Sequence, residues 1–207
     1  MRAVRERCVW SQRITHDDLV PYLVEESAEL IDAVEAGTRA DLREELGDLL
    51  WQVLFHAAVA ADDPDDPFDI DDVAAGLTEK MVRRHPHVFG DAVATTPEEV
   101  LVHWNAAKAA EKRERRSVLD GVSPHMPALA LAQKLLGRAA ALPGGVGLTI
   151  PTGSPVPGVD AGSEDELGER LLWLVAQGRT HGWDAERALR GALRRLEGDI
   201  RAAEREL

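Results

Sequence analysis

Between Thr15 and Gly37 the apolar residues Leu19, Leu23, Leu30, Ile31 and Val34 recur at the three-to-four spacing of one helical face. Asp17 and Asp18 suit the first turn of that helix and Gly37 suits its C-terminal stop. Pro21 is tolerated in a first turn and predicts a start close to it. A second helix is predicted after Thr38, with Asp41 as a weak capping partner. It runs through Leu42, Leu46, Leu49, Leu50, Val53 and Leu54 to about Ala61.

The acidic run Asp62-Asp63-Pro64-Asp65-Asp66-Pro67 reads as a turn-rich loop, after which Asp69 caps a third helix reaching Arg84 and stopped by Pro86. Thr96-Pro97-Glu98-Glu99 combines a cap, a proline at the first helical position and first-turn acids, and predicts a fourth helix to about Arg116. A shorter helix is predicted from Met126 to Ala141. Residues 143–163, rich in glycine and proline, read as a flexible linker. Beyond it, Ser163 and Glu166 start a helix to about Gly178, and Trp183-Asp184 opens an amphipathic helix ending near Leu207. The fold class is all-α: a core bundle in residues 1–120, a connecting helix in 121–142, the linker, and a helical appendage in 164–207.

Composition supports that reading and narrows the partners. Hydrophobic residues make up 44% of the 207, charged residues 29% and aromatics only 4%, a soluble globular profile that favours helix over sheet. Cys8 is the single cysteine, so an internal disulfide is impossible and a reducing compartment is expected. No stretch approaches the roughly 20 apolar residues of a membrane span, and the N-terminus lacks the apolar run of a signal peptide. A cytoplasmic protein with no membrane partner is expected. The formal net charge of −13 argues against duplex nucleic acid, whose backbone wants a basic face. An acidic protein that binds anionic nucleotides needs metal ions or a local basic cluster.

Both are readable. Glu25, Glu26 and Glu29 form E-E-x-x-E on the first helix, and Glu45 and Asp48 form E-x-x-D on the second. Each set shares roughly one side of its helix, and a short connection at Gly37-Thr38 makes the two helices antiparallel neighbours on which the acids converge. Gathered carboxylates repel and acquire raised pKa values unless a cation sits among them. An oxygen-only set suits a hard divalent ion, Mg²⁺ or Mn²⁺, and Mg²⁺ usually takes substrate phosphate oxygens as further ligands. A di-iron bundle site normally uses Glu-x-x-His, and this chain contains none. Solvated helix faces are the plainer alternative for these acids.

Lys80, Arg83 and Arg84 close the third helix beside His85-Pro86-His87, with Lys80 and Arg84 one turn apart and able to reach one phosphate. Complementing a helix C-terminus is the simpler use for such cations. Trp104, Lys108, Glu111 and Lys112 recur at helical spacing on the fourth helix. Trp10 and Trp104 are candidates for stacking on a base, though packing is the commoner fate of tryptophan. His56 reads as a satisfied core histidine rather than a ligand.

With these residues in view, residues 8–120 resemble the MazG family of nucleoside triphosphate pyrophosphohydrolases. The matching stretches are Cys8-Val9-Trp10, Thr15-His16, Pro21 to Glu29, Glu44 to Leu50, Lys80 to Phe89 and Trp104 to Lys112, of which R-R-H-P-H-V-F is the most specific. The resemblance implies a helical homodimer, broad NTP or dNTP substrates, and Mg²⁺ held by Glu26, Glu29, Glu45 and Asp48, with Glu25 a further ligand or water-positioning base. It also implies substrate binding by Lys80, Arg83, Arg84, His87, Trp104 and Lys108. The family's C-P-W-D reads Cys8-Val9-Trp10-Ser11 here. Asp165-Glu166-Leu167-Gly168-Glu169 resembles a second E-x-x-D, so residues 164–207 read as a degenerate second repeat without its own active site. The expected reaction is metal-assisted attack of water on a phosphorus of the triphosphate. A non-catalytic nucleotide-binding module and a purely structural dimerisation bundle are the alternatives.

Overall fold

The computed structural model describes residues 1–111, 117–140, 142 and 161–205. Among them all regular structure is helical: α1 (Arg2–Arg7), α2 (His16–Ala36), α3 (Arg39–Ala60), α4 (Ile70–Arg84), α5 (Pro86–Phe89), α6 (Pro97–Ala110), α7 (Ala128–Ala139), α8 (Glu164–Thr180) and α9 (Ala185–Glu204). The chain divides into two compact units, Met1–Lys112 and Arg113–Leu207, so the first ends earlier than the boundary near 120 read from the sequence.

In the first unit the starts of α2, α3, α4 and α6 are fixed by reciprocal capping boxes, which satisfy two orphan backbone donors at once. Thr15 pairs with Asp18, Thr38 with Asp41, Asp69 with Asp72 and Thr96 with Glu99. The Thr38–Asp41 pair is therefore a full box. Because Thr15 caps α2, Pro21 lies inside the helix and not in its first turn. The α6 helix closes at Ala110 with Glu111 as its C-cap, and the rest of the stretch expected to 116 lies outside the described residues.

The α2 and α3 helices, joined through Gly37 and Thr38, pack on each other as the dominant element pair, with α4 against α3 and α6 against α4 and α5. Leu19 and Phe55, each 1% exposed, meet Ile14 in the core of this unit, with Met1 and Val59 against them. The α1 helix has no counterpart in the sequence reading; its Arg5 bonds Asp62 at 2.8 Å and donates to the carbonyls of Ser11 and Ile14. Ser11, the departure from C-P-W-D, is buried and donates its hydroxyl to the Val4 carbonyl at 2.8 Å.

The second unit packs α7 against α8 and α9, around Leu136 and Val175. Gln133 bridges α7 to the start of α9, accepting from the Ala185 amide at 3.3 Å and donating to the Trp183 carbonyl at 3.4 Å. Asp184 caps α9 and Ser163 caps α8 as expected. Most of the expected linker lies outside the described residues.

Candidate functional site

The α2–α3 hairpin sets its acids opposite one another by symmetry about its turn. Glu29 stands eight residues before Gly37 and Glu45 eight after it; Glu26 stands eleven before and Asp48 eleven after. Antiparallel helices of equal rise bring such pairs to equal heights. One carboxylate oxygen each from Glu26, Glu29 and Glu45 lies within 4.8 Å of the others. Asp48 and Glu25 are not in that group but stand near enough for their charge to act on it.

The electrostatics of the group are those of gathered like charges. Burial, then the charges of Asp48, Glu29 and Glu25, push the Glu26 carboxyl up; a hydrogen bond from Gln52 opposes them. Burial, then Glu29, Asp48, Glu44 and Glu26, push Glu45 up. Glu45 Oε2 is moreover buried with no hydrogen-bond partner. A buried acceptor left unpaired is costly, and a hard cation among three carboxylates removes both the orphan and the repulsion. The donor set therefore fits a divalent ion.

The cations gather on a different helix pair, α4 with α6. Lys80 is exposed. Arg83 is largely exposed, 3.8 Å from Glu79 and 3.5 Å from Glu111. Arg84 is 7% exposed, bonds Glu111 at 2.6 Å and lies 4.9 Å over the Trp104 ring. The Arg84 hydrogen bond, with help from Arg83, holds the Glu111 carboxyl below its ordinary range against the opposing effect of burial. Of the two arginines read as a phosphate clamp, only Arg83 presents an open guanidinium. Trp104 also meets His85 edge-on at 5.3 Å, and Lys108 on the same helix is half-buried. His87 ranges against His85 and His103, with a buried Nδ1 that has no partner.

An aromatic group lies one turn from the acids on both helices. Trp10, 55% exposed, meets Tyr22 edge-on at 6.2 Å and Phe55 at 5.9 Å, and Trp51 meets Phe55 at 5.9 Å. His56 corrects the sequence reading: its Nδ1 lies 2.8 Å from that of His16 with the rings stacked, but its Nε2 is buried without a partner. Burial first, and then His16, lower its pKa. The sequence reading also missed Gln52, buried on the same face of α3 as Glu45 and Asp48; its heptad spacing from Glu45 was the available signal. In the second unit, Glu166 accepts from the Gly162 amide at 2.8 Å and pairs with Arg170 at 2.6 Å, and no metal-holding acid group appears among its described residues.

Comparison with known proteins gives the family of the chain. Residues 14–89 match the model of the MazG nucleotide pyrophosphohydrolase domain. An uncharacterised 26.1 kDa protein of Streptomyces cacaoi is 51% identical over 204 residues, covering 99% of this chain and 79% of its own length. The nucleoside triphosphate pyrophosphohydrolase of Mycobacterium tuberculosis is 51% identical over 140 residues, 67% of this chain but 42% of that protein. The Escherichia coli K12 protein with the same activity in its name is 36% identical over 225 aligned positions, 99% of this chain and 83% of its own.

Proposed function

The chain belongs to the MazG nucleotide pyrophosphohydrolase family, and from that premise we propose that its Met1–Lys112 unit hydrolyses nucleoside triphosphates to the monophosphate and pyrophosphate. The observation that carries the reading is the convergence of Glu26, Glu29 and Glu45 with a buried, unpartnered Glu45 oxygen among them. These three residues, with Asp48 beside them, hold Mg²⁺, or Mn²⁺ in its place. When bound, the ion neutralises the triphosphate and lowers the pKa of water.

The remaining roles fall to the chain's own side chains. Glu25, exposed and outside the three-oxygen group, orients the attacking water. Lys80 and Arg83 meet the phosphates, and Arg84 shapes that surface from below by fixing Glu111 and Trp104. His87 and Lys108 line the same side. The exposed ring of Trp10, set edge-on to Tyr22 one turn before Glu26, offers a stacking face for the base.

Apolar side chains left exposed on α2 and α3, among them Val20, Val24, Ile31, Leu46 and Leu50, support a homodimer built from this hairpin. Residues 164–207 are a degenerate second repeat: Glu166, the counterpart of Glu45, is engaged by a helix cap and Arg170. No helix among the described residues is long and apolar enough to cross a membrane, and the nucleotide substrates place the enzyme's work in the cytoplasm.

Pyrophosphate release from a panel of NTPs and dNTPs, with and without Mg²⁺, tests the reading. Metal-dependent release with the matching monophosphate is expected, and Glu45→Ala and Asp48→Ala should reduce it to background while leaving the helical signal intact. A folded wild type that binds nucleotide without releasing pyrophosphate, or an active Glu45→Ala, would replace this reading by that of a binding module.

A further inference from the structure

In the second unit α9 leaves an apolar stripe uncovered. Leu189, Leu193, Leu196 and Ile200 are each close to half exposed, at 47%, 49%, 54% and 50%. The start of the helix is held by α7, where Gln133 meets the Ala185 amide and Glu186 accepts from the Ala130 amide. From Leu196 to Glu204, by contrast, every residue is exposed. A helix whose last two turns touch nothing rests on its own propensity, which is marginal in water at this length. The four apolar residues are separated by four, three and four positions, the alternation of a heptad seam. Leu193 and Ile200 then occupy the a positions, and Leu189 and Leu196 the d positions.

The flanking charges say what covers the seam. Arg190, Glu197 and Glu204 fall at e, and Ala185, Ala192 and Asp199 at g. These positions border the seam and set the orientation of a pair. In a parallel pair each g residue faces e of the next heptad, so Asp199 would meet Glu204 of the other copy, acid against acid. In an antiparallel pair e faces e and g faces g. With Leu189 layered on Ile200 and Leu193 on Leu196, Arg190 then meets Glu197 of the other copy, twice by symmetry, and Asp199 comes opposite Ala192. Both charged residues also have partners in their own helix, Arg190 at 3.8 Å from Glu186 and Glu197 at 3.5 Å from Arg201. Such pairs one turn apart are worth little, and the second copy adds to them. A lipid surface is the poorer occupant. Five arginines against four acids leave α9 almost neutral, whereas a helix lying on an anionic membrane has a strongly basic polar face.

We propose that α9 is a self-pairing surface: two copies of the chain join through antiparallel α9 helices, with Leu189, Leu193, Leu196 and Ile200 as the seam and contacts of Arg190 with Glu197 fixing its register. The surface is distinct from the α2–α3 face and takes part in no step of hydrolysis, which gives the degenerate repeat an assembly role in place of a catalytic one. Because the pairing is isologous, a single substitution alters both of its charge contacts.

The test is energy transfer between donor- and acceptor-labelled batches of the full-length chain, labelled at Gly198→Cys in a Cys8→Ser background. Position 198 falls at f, facing away from the seam, and a Cβ there meets nothing within 4 Å. Transfer through α2–α3 is the same in every combination, so the charge-dependent part reads α9. Copies with the natural charges should show that part. Arg190→Glu mixed with itself, and Glu197→Arg mixed with itself, should each lose it, since like charges then meet at both contacts. An Arg190→Glu batch mixed with a Glu197→Arg batch should recover it, because both contacts are again opposite in sign; damage to the helix itself is not repaired by mixing. Leu196→Lys, at an exposed position, should lose it in every combination. Transfer that is equal in all combinations comes from another interface and overturns the proposal. Loss in both homotypic mixtures without recovery in the mixed pair overturns it as well, and so does the absence of transfer between copies with the natural charges, which leaves the stripe to a different partner.

Discussion

At the scale of single residues, helical spacing says which side chains share a face but not what that face meets. Lys80 and Arg84 are one turn apart, and the sequence therefore reads them as two arms of one phosphate clamp. Glu111, 27 residues beyond Arg84, closes on that guanidinium with contacts of 2.6 and 3.2 Å and holds it over the Trp104 ring. The recurrence of Glu111 after Trp104 and Lys108 was visible in the sequence; its role as counter-charge to a buried arginine was not, because nothing local specifies that α6 lies on α4. The asymmetry of buried pairs makes this testable: removing one partner strands the other, while an apolar replacement of the buried cation does not. Glu111→Ala should lower the melting temperature more than Arg84→Met does. The Glu111 carboxyl is held below its ordinary value, so its contribution is fully present above the unfolded carboxylate pKa and is lost as pH falls through the folded one. The gap between wild type and Glu111→Ala in thermal melts should therefore be wide at neutral pH and close as pH falls through the lowered carboxyl range. A variant ranking in the opposite order would mean that Arg84 is not held by this pair.

At the scale of elements, the chain announces its helices where side chains satisfy local backbone donors. The starts at Thr38, Asp69 and Thr96 are each legible because a polar cap and an acid three residues on act within one turn, whereas Pro21 drew the expected start of α2 past its cap at Thr15. The α1 helix was illegible for the opposite reason: six residues with three arginines show no apolar period, and Arg5 secures it through contacts with Asp62 and with carbonyls further along the chain. The acid motifs were legible as motifs, yet their convergence depends on the turn between α2 and α3. Gly37 controls that turn by size and not by conformation, its φ being −85°. A Cβ there would come within 2.7 Å of Ala33 Cα and 2.9 Å of the Ala33 carbonyl oxygen, both backbone atoms. Gly37→Ala should therefore cost about 1–3 kcal/mol, the usual scale of an overpacked contact, and should also weaken Mn²⁺ binding by shifting Glu29 relative to Glu45. Gly47 is the control within the same hairpin, since a Cβ there meets nothing within 4 Å. Gly47→Ala should stabilise α3 by about 0.5–1 kcal/mol on helix propensity alone. Denaturant titrations of the two variants check the pair, and equal behaviour would remove the steric argument.

At the scale of the whole molecule, the proposed chemistry belongs to one of two units. The sequence reading set the boundary near 120 and carried the fourth helix to about 116; α6 closes at Ala110 and the first compact unit at Lys112. Within the first unit lie the core of Ile14, Leu19 and Phe55, the acids of the candidate centre, and Arg83 and Arg84 with their partner Glu111. A chain ended at Lys112 should therefore fold, self-associate as a dimer through its exposed α2–α3 face, and keep metal-dependent pyrophosphate release. Its melting temperature carries the clearest signal. With Glu26 and Glu45 raised by burial and by their neighbours' charges, ionising them costs the metal-free fold stability as pH rises through their folded pKa values. Mg²⁺ offsets that cost and should stabilise the chain by about 2.7 kcal/mol at a hundredfold excess over its dissociation constant. Below the raised carboxylate range the protons occupy the oxygens the ion needs, so the Mg²⁺-induced rise should appear only as pH climbs through that range. The same titration on Glu45→Gln should show a much smaller rise at every pH. A rise that persists at low pH, or survives the substitution undiminished, would place the ion somewhere other than among these carboxylates.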